Sequence, residues 1–192
     1  MSFYKRRLPH WHPEGAPIFV TWRLFGTLPV GQAGSLPTEG RRFLAQDRRL
    51  DLAESGPRWL QQQTIAACVA ETLLLGERVW RKYDLWAWVI MTNHVHVLLT
   101  PLLELRQVTK AIKSYSARKA NEILGRTGEP FWQDESYDHW IRNEEEMNRI
   151  IRYIEWNPVK ACLVERIEDW PRSSASREFQ AWQAISLPHN EV

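Results

Sequence analysis

Apolar and polar positions along the chain change period several times, and each change marks an element. Residues 16 to 28, APIFVTWRLFGTL, mix β-branched and aromatic residues in an alternating pattern and predict a first strand. From Pro29 to Pro57 the alternation is lost among glycines, prolines and charges, with helical spacing only around residues 38 to 53, so this stretch reads as an insertion or lid. PRWLQQQTIAACVAETLLLGERVWRKY then opens on a proline suited to a first helical turn and keeps apolar residues at helical spacing to about residue 80. LWAWVIM, residues 85 to 91, and HVHVLLT, residues 94 to 100, predict two strands joined at Thr92 and Asn93 as a hairpin. A second helix is predicted over residues 104 to 124, stopping at Gly125. FWQDESYDHWIR supplies a further strand, and NEEEMNRIIRYIEWNP a third helix with Asn143 as N-cap, Glu146 three residues on and Pro158 as its stop.

The order strand, helix, strand, strand, helix, strand, helix suits an α+β domain, a ferredoxin-like antiparallel sheet with helices packed on one face. At 192 residues the chain fits one domain over residues 1–175, carrying the insertion at about 29–57, and a tail over residues 176–192. No apolar run approaches the ~18 residues that mark a membrane helix, and the basic N-terminus lacks the apolar core of a secretory signal. Cys68 and Cys162 are isolated, without the spacing of a zinc ribbon or a disulfide framework. The expectation is a soluble cytoplasmic protein with no membrane partner. A formal net charge of +2 is weak support for a nucleic-acid partner, but basic residues cluster at 5 to 7, 41 to 42, 48 to 49 and 110 to 119.

Candidate chemistry begins with the histidines of TNHVHVLLT. On a strand, positions 94 and 96 share one face, so the imidazoles of His94 and His96 stand side by side. They read either as a metal-binding pair or as two polar residues on the wetter face of a half-buried strand. In RYIEWNP, Tyr153 and Asn157 are four residues apart and project from one helix face. A phenol can act as a covalent nucleophile and an amide oxygen can ligate a hard cation; the plainer reading is a ring packed on the sheet and an asparagine capping the helix end. If the two constellations meet, they form an open three-ligand site beside a nucleophile, suited to in-line attack on a phosphodiester. No glycine loop for a nucleotide is present.

NHVHVLL, then FWQ followed by YDHWIR, then YIEWNPVKACLV resembles, in that order and over about residues 16 to 175, the REP-associated tyrosine transposases. These are relatives of the single-tyrosine transposases of the His-hydrophobe-His nuclease superfamily. The resemblance implies a ferredoxin-like fold, His94 and His96 as ligands of a divalent metal (Mg2+ or Mn2+), Asn157 as third ligand and Tyr153 as nucleophile. It also implies action on single-stranded DNA folded from repetitive extragenic palindromes, with cleavage beside the hairpin, the 5′ phosphate held on tyrosine and a free 3′ hydroxyl released. The protein is then a monomer or a homodimer.

Tyr115, whose i+4 neighbour is Lys119, and Tyr137, beside Asp134, Glu135, Asp138 and His139, compete for the nucleophile's role. Lys113, Arg118, Lys119, Trp132, Gln133 and Arg142 are the candidate DNA-binding residues, with burial the plainer reading of Trp132. Two other classes fit parts of the pattern: a non-cleaving DNA hairpin-binding protein derived from a transposase, and a metal-dependent phosphodiesterase that uses water and does not need Tyr153.

Overall fold

In the structure, a computed structural model, residues 15–27 and 56–186 are described together with positions 13, 47, 48, 50 and 51. The alternating stretches form β1 (Ile18–Arg23), β2 (Tyr83–Ile90), β3 (His94–Pro101) and β4 (Tyr137–Trp140). All pair antiparallel, in the order β2-β3-β1-β4, which is the ferredoxin-like arrangement. The helices are α1 (Gln63–Arg78), α2 (Leu105–Leu124), α3 (Glu144–Lys160) and α4 (Arg177–Ser186).

Period-2 alternation gives the two central strands, β1 and β3, two apolar faces. Ile18, Val20 and Trp22 join Val95, Val97 and Leu99 beneath α1 and α2, against Ile65, Val69, Leu73, Val108 and Ile112. On the opposite face Phe19 and Leu98 join Ala87 and Val89 beneath Ile154 of α3. The α+β class and the antiparallel sheet are as expected, but the helices divide between the two faces instead of sharing one. The cause is that alternate residues of β1 and β3 are apolar on both sides, so each side needs a cover. Thr21, His94 and His96 interrupt only the α3 side.

Local differences have local causes. The helix expected from residue 57 begins as a single 3-10 turn at Trp59–Gln61 before α1. Of FWQDESYDHWIR only four residues join the sheet; Trp132 makes one isolated bridge to Leu24, and the polar QDES stretch leaves the ladder. Pro158 does not stop α3, which runs to Lys160. In the last turn a proline forfeits one hydrogen bond only, and the chain turns where Cys162 takes φ 56° after Ala161 N–H bonds to Asn157 O at 2.9 Å. The second helix does end at Gly125, in the left-handed conformation at φ 67°.

The segment after α3 covers the free edge of β2. Ile90 N–H bonds to Arg172 O at 2.8 Å and Ser174 N–H to Trp88 O at 2.9 Å, while Trp170 is buried with its indole N–H on Ile90 O at 3.1 Å. Most of the 29–57 stretch lies outside the described residues, but Asp47, Arg48, Leu50 and Asp51 are helical. No helix among the described residues is long and apolar enough to cross a membrane.

Candidate metal centre and nucleophile

Antiparallel pairing sets Thr21 opposite His96, and both histidines are completely buried. Their Nε2 atoms face one another at 3.1 Å. The outer nitrogens are fixed from behind: His94 Nδ1 lies 2.7 Å from Asn93 Oδ1 and His96 Nδ1 lies 2.7 Å from Thr21 Oγ1. Asn93 donates its amide N–H to Leu50 O at 3.1 Å, so its Oδ1 is the acceptor and His94 Nδ1 carries the hydrogen. His94 Nε2 is therefore a bare lone pair aimed inward. Burial, followed by the neighbouring His96, lowers the His94 pKa to about 3. His94 is thus neutral at ordinary pH. Because the Thr21 hydroxyl can accept or donate, His96 can also turn a lone pair inward.

A carboxylate from the 29–57 stretch completes the cluster. Asp47 is buried, with Oδ1 3.1 Å from His96 Nε2 and 3.7 Å from His94 Nε2. One ligand atom from each of Asp47, His94 and His96 lies within 4.8 Å of the other two. Asp51, one helical turn from Asp47, places Oδ1 3.7 Å from His94 Nε2. Among the described atoms Asp47 Oδ1, Asp51 Oδ1 and both amide atoms of the fully buried Asn157 lack a hydrogen-bond partner. Buried acceptors without donors are costly. A divalent cation would satisfy the lone pairs of Asp47, His94 and His96 together, and donation of the second histidine nitrogen to an oxygen is the usual support of a metal-bound imidazole. The donor set fits the metal implied by the resemblance.

The phenol of Tyr153 donates to Asp47 Oδ2. Its ring stands edge-on to Phe19 and His96, at centroid separations of 5.9 and 5.7 Å. Burial, then the Asp47 charge, raises its pKa far above that of a free tyrosine, so the phenol is held protonated. Lys160, two turns farther along α3, bonds Asp51 Oδ2 at 3.0 Å and Asp47 Oδ2 at 3.4 Å, and its ammonium lies 5.3 Å from the centre of the Tyr153 ring. Burial works against the Asp47 carboxylate, yet its interactions with His96 and His94 and the Tyr153 hydrogen bond outweigh it and lower its pKa below the ordinary range. Asp51 is displaced upward, by burial and then by the charge of Asp47.

The structure thus brings His94, His96 and Tyr153 together and places Asn157, one turn after Tyr153 on α3, fully buried. Sequence reasoning missed Asp47, Asp51, Lys160 and Thr21. The Asp47/Asp51 spacing of four was a visible helical signal, but nothing local ties it to the histidines. Tyr115 lies in the helical layer on the other side of the sheet, edge-on to Trp80 at 5.2 Å, and Tyr137 packs edge-on to Phe19 at 6.3 Å.

Most of the six candidate DNA-binding residues are engaged within the protein. Lys113 caps the carbonyls of Gln133 and Asp134 at 2.6 and 2.9 Å. Trp132 is 6% exposed and bonds Ser116 Oγ at 2.9 Å, so it belongs to the core. Gln133 is half-buried, with its backbone N–H on Arg23 O at 2.9 Å. Lys119 pairs with Glu122 at 3.8 Å, Arg142 sits over Trp140 at 5.6 Å, and Arg118 is exposed over Tyr115 at 5.4 Å.

Residues 74–157 match the family model described as "Transposase IS200 like". The chain is 28% identical over 99 residues to the REP-associated tyrosine transposase of Escherichia coli, covering 51% of this chain and 58% of that protein. A relative from Haemophilus influenzae is 40% identical over 50 residues, 26% of this chain and 28% of its own. The matches therefore span less than two thirds of either relative. A solved structure of a REP-associated tyrosine transposase bound to a REP hairpin shares the fold, with a TM-score of 0.56 at 20% identity, covering 97% of this chain and 89% of that one. Over residues 74–157 the chain is thus similar to the IS200-like transposases, over about half its length it is similar to a REP-associated tyrosine transposase, and it shares that fold.

Proposed function

We propose that this chain is a metal-dependent endonuclease and strand transferase that cuts single-stranded DNA beside palindromic hairpins through a 5′-phosphotyrosine at Tyr153. One observation carries the reading: the phenol of Tyr153 and the two inward-facing histidine nitrogens meet on a single carboxylate, Asp47. His94, His96 and Asp47 would hold the cation, with Asn157 as a further oxygen donor. Such a cation supplies Lewis acidity toward a phosphate oxygen and orients the scissile bond.

The chain's own residues set the order of events. Tyr153 enters as a neutral phenol, because the carboxylate beside it disfavours a second negative charge. Its proton has one short route, along the hydrogen bond to Asp47 Oδ2, and the ammonium of Lys160 next to both carboxylates offsets the charge that develops. In the transfer, Tyr153 Oη forms a bond to phosphorus, the bond from phosphorus to the 3′ oxygen breaks, and that oxygen leaves as a hydroxyl after taking up a proton. The displaced energy stays in the phosphotyrosine ester, so rejoining needs no nucleotide. Phe19 and His96 hold the ring at its edges and limit the directions from which it can approach phosphorus.

The test is incubation with labelled single-stranded hairpin DNA from the palindromes flanking the gene, with Mg2+ or Mn2+, read on a denaturing gel. A metal-dependent covalent band that disappears in Tyr153→Phe is expected. Cleavage that survives in Tyr153→Phe would replace this reading with a water-using phosphodiesterase, and binding without cleavage under either metal would replace it with a hairpin-binding protein.

A further inference from the structure

A second feature lies in the helical layer, on the side of the sheet away from the histidines. Trp80, just after α1, and Tyr115 of α2 meet edge to face at 5.2 Å and form the apolar floor of an open groove of about 460 Å³, completed by Lys82, Ala111, Ser114 and Arg118. The volume is within the range that accepts a small planar organic group. The rim is cationic. Between Glu104 and Glu122 the sequence of α2 contains no acidic residue, and Arg106, Lys110, Ser114 and Arg118, four apart, form one exposed stripe along it. The last acid of α1, Glu77, accepts the Leu85 N–H at 2.8 Å and lies 3.8 Å from Arg78.

An apolar aromatic floor rimmed by cations that make no ion pair among the described residues is complementary to a stacked base flanked by phosphates. A purely apolar partner would leave the cations without a counterpart, and a folded duplex would present its phosphates but no open base face. We infer that this groove is a second nucleic-acid contact: it holds an unpaired base of the strand adjoining the hairpin against Trp80 and Tyr115, with neighbouring phosphates on Lys82, Lys110 and Arg118. The inference rests on the reading above and adds to it a contact remote from Tyr153.

The test uses the full chain and a hairpin oligonucleotide with or without a single-stranded extension that carries 5-iododeoxyuridine. Irradiation followed by peptide mass spectrometry is expected to place crosslinks on the peptides containing Trp80 or Tyr115. In fluorescence anisotropy, Arg118→Glu and Tyr115→Ala should bind the extended oligonucleotide about tenfold more weakly, while Tyr115→Phe, which keeps the stacking ring, binds like the wild type. Arg118 is exposed and outside the core, so Arg118→Glu reports even if Tyr115→Ala is poorly folded. Crosslinks confined to the α3 side of the sheet, affinities within about twofold of wild type for Arg118→Glu, or no binding of either oligonucleotide by the wild type would overturn the inference. A Tyr153 adduct accompanied by unchanged affinity in these variants defeats this inference alone; groove crosslinks without any adduct defeat only the cleavage reading.

Discussion

Asp47 answers to four partners at once: a lone pair on each histidine side, the proton of Tyr153 and the ammonium of Lys160. Replacing it by asparagine keeps the size but removes the charge that favours a cation. Asp47→Asn is expected to weaken Mn2+ binding about tenfold or more by isothermal titration calorimetry, a loss comparable to that seen when groups supporting metal ligands are removed. Tyr153→Phe should leave Mn2+ affinity nearly unchanged, because the phenol donates to Asp47 and ligates nothing; a large loss there would mean that the ring itself builds the cation site. The histidine pair was legible because strand alternation alone brings positions 94 and 96 to one face, and Tyr153 with Asn157 because helical spacing does the same. Asp47 was not legible, since its bond to Tyr153 closes over 106 residues and no local pattern encodes so distant a meeting.

At the scale of elements, α3 is the platform for Tyr153, the proposed nucleophile, and its start is heavily fastened. Asn143 Oδ1 accepts the Glu146 N–H at 2.8 Å, while Glu146 accepts from Arg142 N–H at 2.9 Å and faces His139 Nε2 at 3.0 Å. Asn143→Ala should cost about 1 kcal/mol in urea unfolding. Burial alone would raise the Glu146 pKa, but the His139 hydrogen bond and the Arg142 N–H outweigh it and the carboxyl is lowered. A lowered folded value means that Glu146 contributes stability above its unfolded value of about 4.3 and loses it as pH falls through the folded one. The melting temperature of wild type should therefore drop more steeply below about pH 4 than that of Glu146→Gln. On the other side of the sheet, Gly76 gives room to the Tyr83 phenol, which bonds Leu73 O at 2.7 Å. A β-carbon there would collide with the Tyr83 ring, so Gly76→Ala should lose about 1–3 kcal/mol despite the better helix propensity of alanine.

For the molecule as a whole, the order of strands followed from the order of elements, since a strand, helix, strand, strand, helix, strand chain has few ways to close an antiparallel sheet. The cover over β2 did not follow, because PRSSAS shows neither alternation nor helical spacing and pairs with β2 through its backbone and the Ser174 hydroxyl. That cover matters for solubility: β2 without it presents a row of unpaired N–H and C=O groups beside the large ring of Trp88. A chain truncated after Asp169 is expected to elute from size-exclusion chromatography as larger, concentration-dependent species, whereas the full chain does not form them through this edge.

The matched stretch, residues 74–157, contains both histidines, the tyrosine and the asparagine, yet the carboxylate among them arrives from outside it. Inheritance of the motifs and inheritance of the surroundings of the proposed ion are therefore separable. Two descendants could keep every motif letter, diverge only between β1 and α1, and part company in the metal they require; comparison of relatives by motif alone would not register the change.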